Sequence, residues 1–167
     1  VNGTLSLGVL ASSLLFALPA LAEAPKGGGD IQISSDKQIF AQNDNIMKAY
    51  GNVTINDGKM TASSPEAYVM LKDDGSANKV VFVKGATLKQ EDRELKAERI
   101  VINSGDGTIY AENNVTSIIH TQDKNGKAST VSVKSNNQQI DGETGQMVAN
   151  GKVKIDYEDL KVQGPKA

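Results

Sequence analysis

The chain has 167 residues, a formal net charge of −2, no cysteine and one histidine. That length suits one domain of roughly 100–200 residues, and the near-neutral charge excludes an overall basic surface for nucleic acid. Without cysteine or a second histidine, a disulfide scaffold, a Cys–His nucleophile pair and a His-based zinc site are all excluded.

Residues 1–22 carry no charge and are largely apolar from Leu5 to Leu18, ending in Pro19-Ala20-Leu21-Ala22. The run is shorter than the roughly 20 apolar residues of a membrane span, and Ala20-Leu21-Ala22 is an Ala-x-Ala cleavage signal. It reads as a secretory signal peptide cut after Ala22, with an uncleaved anchor as the alternative. Export without cysteine points to a bacterial envelope, and the expected location is the periplasm. Residues 23–29 read as a flexible Gly-rich leader, residues 30–164 as the folded domain and 165–167 as a tail.

Beyond the leader the pattern is β throughout. A first strand is expected over Asp30 to Ser35. Period-two alternation marks half-buried strands at Val53-Thr54-Ile55, Leu95-Lys96-Ala97, Val131-Ser132-Val133 and Val153-Lys154-Ile155. Gln90 to Arg99 has good helix formers but no apolar stripe, so it reads as a polar turn leading into a strand. Asn56-Asp57-Gly58, Asp73-Asp74-Gly75, Gly105-Asp106-Gly107, Lys124-Asn125-Gly126 and Asp141-Gly142 supply positive φ cheaply, as hairpins require. Hairpin after hairpin means an antiparallel sheet.

Two signals recur. One is a Gly- or Asn-opened strand at Gly51-Asn52-Val53, Gly85-Ala86-Thr87-Leu88, Asn114-Val115 and Gly151-Lys152-Val153, in which the Gly or Asn is expected to turn the chain. The other is an apolar residue, a spacer, a small residue and a polar one, as in Met60-Thr61-Ala62-Ser63 and Leu95-Lys96-Ala97-Glu98. Their uneven spacing excludes a regular solenoid, whose rungs keep one length. The expected fold is all-β: an antiparallel, twisted β-jelly roll whose two sheets face each other.

Alternation places Ile39, Ile46, Val53, Ile55, Met60, Tyr68, Val81, Val83, Leu88, Leu95, Ile100, Ile102, Ile109, Val115, Val131, Val133, Ile140, Val153 and Ile155 inside, with Thr54 and Val101 outside. As a set they would line an apolar trough able to shelter lipid chains, since each CH₂ left in water costs about 0.8 kcal/mol. Each residue alone equally suits a closed, dry core. Open edges are expected at the first strand (Ile31, Gln32, Ile33, Ser34) and at the last hairpin (Leu160, Lys161, Val162), where a partner strand could add.

The order Ile31-Gln32-Ile33-Ser34-Ser35-Asp36-Lys37-Gln38, then Ala49-Tyr50-Gly51-Asn52-Val53-Thr54-Ile55-Asn56-Asp57-Gly58, then Met60-Thr61-Ala62 resembles the OstA-like domain family, and within it the LptA-like periplasmic lipopolysaccharide transport proteins. The resemblance implies a V-shaped, two-sheet β-jelly roll that holds the lipid A part of lipopolysaccharide. It implies head-to-tail association, with copies of itself and with LptC-like inner-membrane and LptD-like outer-membrane partners through the edge strands. It also implies no covalent chemistry, no cofactor and no metal. An inner-membrane-anchored LptC-like component and a self-assembling structural roll with a dry core remain as alternatives.

Enzyme chemistry finds little support. His120 lies in an alternating surface strand, and the acidic residues cluster in turns without calcium-loop spacing. A carbohydrate-active roll with convergent carboxylates is the remaining enzymatic alternative.

Overall fold

The computed structural model describes residues 32–41, 44–123 and 125–166. The expected signal peptide, the leader, Asp30 and Ile31 lie outside them. Ten strands follow one another: β1 (Gln32–Ser34), β2 (Lys37–Ala41), β3 (Ile46–Asn56), β4 (Met60–Leu71), β5 (Ala77–Gln90), β6 (Arg93–Asn103), β7 (Ile109–Gln122), β8 (Ala128–Ile140), β9 (Met147–Tyr157) and β10 (Leu160–Lys166). Because β10 runs to Lys166, residues 165 and 166 belong to the last strand rather than to a tail.

All pairings are antiparallel in one open sheet. From β3 to β10 each strand pairs with its neighbours in sequence, while β1 and β2 lie end to end along the free side of β3. The expected turns all join strands. Asp57, Asp74, Asp106, Asp123 and Asp141 each accept backbone N–H bonds from the residues that follow, so every such loop is locked by its own aspartate.

The two faces come from one sheet folded on itself. Each long strand has a register shift at the same level: between Tyr50 and Val53, Ser63 and Glu66, Val83 and Ala86, Lys96 and Arg99, Glu112 and Val115, and Lys134 and Asn137. Together these bulges form a crease across the sheet, and bulges bend strands. The crease also corrects the expectation for the first recurring signal. Gly51-Asn52, Lys84-Gly85, Asn113-Asn114 and Gly151-Lys152 are consecutive left-handed pairs in the middle of β3, β5, β7 and β9. They bend a strand; they do not end one.

The even-numbered strands cross the crease differently. The hydroxyls of Ser64 and Ser135 donate to the carbonyls of Glu66 and Asn137 at 2.7 and 3.0 Å, and Ser35 does the same to Lys37 between β1 and β2 at 3.2 Å. The second recurring signal is the run of strand that leads into this crossing. Glycine is required where the neighbouring strand crowds the crease: a Cβ on Gly151, at φ +77°, would lie 2.6 Å from the Asn136 side-chain amide.

Candidate functional site

Register pairs share a face, so the interior can be read row by row. On the half of the sheet formed by β2 and the part of each long strand on the β2 side of the crease, Met47, Val69, Val80, Ile102, Ile109, Ile140 and Met147 make one inner row. Ala49, Ala67, Phe82, Ile100, Ala111, Gln138 and Ala149 make the next. On the other half, Ile33, Ile55, Ala62, Leu88, Leu95, Ser117, Val133, Ile155 and Val162 face them. Phe82, Leu88, Leu95 and Ile100 are fully buried between the halves.

Most of the residues expected to point inward do so. Val53, Ile55, Leu88, Leu95, Ile100, Ile109, Val115, Val133, Ile140 and Val153 are buried inside, and Met60, Ile102, Val131 and Ile155 pack against them half-buried. Ile39, Ile46, Tyr68, Val81 and Val83 are corrections, for they fall on the outer face in register with Lys48, Met70, Val101 and Arg99. The crease explains two of them. Even-numbered strands cross it with a change of parity: inward Met60, Ala62 and Ser64 are followed by inward Ala67 and Val69, which turns Tyr68 outward. The break at Asp36 does the same to Ile39. Ile46-Met47 and Val80-Val81-Phe82-Val83 are apolar on both faces, so alternation alone could not orient them.

Opposite the crease the two halves part, and a cavity of about 850 Å³ opens between their lips. Its floor is apolar, with Ile55, Met60, Phe82, Ile102, Ile109 and Ile140, and its rim is formed by the turns after β3, β5, β6 and β8. The size falls within the roughly 300–1,000 Å³ of small-molecule sites. Arg93 crosses the mouth, its Nη2 donating to the Gly145 carbonyl at 3.3 Å.

Toward β7 and β8 the lining changes character. Ser117 and Gln138, on opposite halves and almost wholly buried, meet across the interior: the Ser117 hydroxyl donates to Gln138 Oε1, and Gln138 Nε2 donates to the Val133 carbonyl at 3.1 Å. This polar bridge separates the main apolar cluster from a smaller one around Val133, Ala149 and Val153. Neither partner is flagged by alternation, because each occupies an inward position with a polar side chain.

At both ends of the sheet, inward-facing apolar side chains lack a cover. Phe40, in the row of Met47, is 55 % exposed on β2; Leu160 and Val162, in the rows of Tyr157 and Ile155, are 57 % and 43 % exposed on β10. Of the expected edge residues, Gln32, Ile33 and Ser34 pair with β3 on one side, Leu160, Lys161 and Val162 pair with β9 on one side, and Ile31 lies outside the described residues.

The outer face carries the ion pairs. Glu66 bonds Lys84 Nζ at 2.5 Å and also accepts from the Tyr68 hydroxyl. Lys84, then Tyr68, hold the Glu66 carboxyl below its usual range; the Glu66 carboxylate raises Lys84 and pushes Tyr68 up to about 12. His120 is exposed on β7, and no group of three or more metal-ligating side chains occurs among the described residues.

No family model and no curated protein matches the chain. Among solved structures it is similar to LptH, the LptA homologous periplasmic component of the conserved lipopolysaccharide transport device from Pseudomonas aeruginosa, with a TM-score of 0.63 at 12 % identity over 74 % of this chain and 83 % of that one. The creased, open, antiparallel roll described here is an LptA-like β-jelly roll.

Proposed function

We propose that the chain is a non-enzymatic periplasmic carrier that holds the acyl chains of lipopolysaccharide in the folded sheet and passes them between membranes. One observation carries this reading: the inner rows cross the whole sheet and are left uncovered at both of its ends, at Phe40 on one half and at Leu160 and Val162 on the other. A closed globular core has no reason to leave its lining unfinished at two opposite edges. A carrier in a line of similar folds does, because the next sheet continues both the hydrogen-bond ladder and the apolar surface. The first edge, β1 and β2, would meet an LptC-like partner, and β10 an LptD-like partner or a second copy. The likeness to a periplasmic transport component supports the assignment.

The Ser117–Gln138 bridge favours a second reading, a self-assembling structural roll with a filled interior, because it joins the two halves through the middle of the lining. Photo-crosslinking in cells separates the two. With a photoreactive residue at Ile55 or Ile102, both on the cavity floor, lipopolysaccharide adducts are expected, and few should form from outward Thr54. Adducts at all three positions alike, or at none, refute the carrier.

A further inference from the structure

Arg93 begins β6 and stands in an inward row, in register with Gln90 and Ile119. Its position therefore sends a guanidinium over an apolar floor, a placement that needs a reason. The other arginine, Arg99, is matched on the outer face by Glu112 at 2.6 Å. Arg93 has no such match: its one hydrogen bond among the described residues is the 3.3 Å contact to the Gly145 carbonyl across the mouth. A guanidinium offers five N–H donors in a planar fork suited to a carboxylate or phosphate.

Six carboxylates stand around the same rim: Asp57, Asp106 and Asp141 are engaged locally, Glu91, Asp92 and Glu143 are exposed, and none of the six forms an ion pair with Arg93 among the described residues. Asp57 accepts from Met60 N at 2.7 Å, Asp106 from Thr108 N at 2.9 Å and Asp141 from Thr144 N at 2.8 Å, each within its own turn. The rim thus keeps an unmatched fork at the point where a chain lying on Ile55, Met60 and Phe82 would emerge.

We infer that Arg93 is the headgroup-reading residue of the cavity, binding one anionic group of an amphiphile whose alkyl chain occupies the space below. The inference rests on the carrier reading. The bound anion replaces the Gly145 carbonyl as the guanidinium's partner, so occupancy of the cavity and release of the contact between the lips are one event. Because carboxylates crowd the same rim, it suits a single anionic group at a time.

Calorimetric titration with dodecyl phosphate, dodecyl maltoside and inorganic phosphate tests this on the wild type, Arg93→Gln and Arg93→Lys. A charge-assisted hydrogen bond supports roughly a tenfold or greater difference in affinity. Arg93→Gln should therefore weaken dodecyl phosphate about tenfold and leave dodecyl maltoside within about twofold. Arg93→Lys, which keeps the charge and loses the fork, should fall between. Inorganic phosphate should not displace dodecyl phosphate; displacement at equal concentration would make this a free-anion site and overturn the inference. Equal loss for both amphiphiles, or no loss for either, would make Arg93 a structural tie between the lips and overturn it while leaving the carrier standing. If neither amphiphile binds the wild type, the carrier reading falls and this inference with it.

Discussion

The bridge between Ser117 and Gln138 makes the sharpest energetic test. Ser117→Ala leaves Gln138 Oε1 buried without its donor, while Gln138→Leu strands the Ser117 hydroxyl in an interior where it is 0 % exposed. A buried polar atom deprived of its partner costs about 1–3 kcal/mol, whereas replacing both partners by apolar groups is close to neutral. Each single variant should therefore lower stability by about 1–3 kcal/mol, and the double variant by less than either. The resulting coupling, larger than the bigger of the two single losses, should appear in a double-mutant cycle measured by urea unfolding with unchanged slopes. It also has a functional arm: with the bridge gone, the apolar clusters on its two sides are no longer divided by a polar pair, and amphiphile should then reach Val131 and Ile155 as readily as Ile55. A double variant whose loss equals the sum of the singles would show that the two groups are satisfied independently and that the bridge does not divide the interior.

Other outcomes follow from the same geometry. Phe82→Ala, at a fully buried position between the halves, should cost about 3–5 kcal/mol in the same unfolding assay. Gly151→Ala should destabilise by about 1–3 kcal/mol, since a left-handed backbone and the Asn136 amide both oppose a Cβ there; Gly85→Ala, with open space around it, should cost less. Tyr68 is raised from 10.0 to about 12, so its bond to Glu66 contributes stability that is complete below pH 10 and disappears as pH rises toward 12; urea midpoints should fall more over that window for the wild type than for Tyr68→Phe. Leu160→Lys with Val162→Lys, both on an exposed edge, should leave unfolding within about 0.5 kcal/mol of the wild type and abolish disulfide-free crosslinking between neighbouring molecules.

How far the sequence carried can be seen strand by strand. Val53-Thr54-Ile55 and Leu95-Lys96-Ala97 alternate cleanly, and both lie on the face that alternation assigns them. The aspartate-led turns were legible because a carboxylate two or three residues ahead of an N–H is local chemistry. The crease was not. A left-handed pair in mid-strand and a pair opening a strand use the same residues, so Gly51-Asn52 and Gly151-Lys152 could be recognised as recurring without revealing that the strand continues through them. Alternation carried straight through the crease fails in parity across β4, and Tyr68 falls on the wrong face with it. Ser117, Gln138 and Arg93 were missed for a different reason: an inward polar residue is visible only once its partner on the opposite half is known.

The order of pairing in this sheet bears on how the chain reaches its fold. From β3 onward each strand lies beside the one made just before it and the one made just after, so no ladder waits for a distant segment and loop-closure entropy stays small throughout. A chain delivered from its amino-terminal end can zip hairpin by hairpin, each new strand templated on the last. The same arrangement lets the roll change length by whole hairpins without altering the strands already in place, so that gain or loss of one hairpin is the natural step by which relatives of this fold would differ in size.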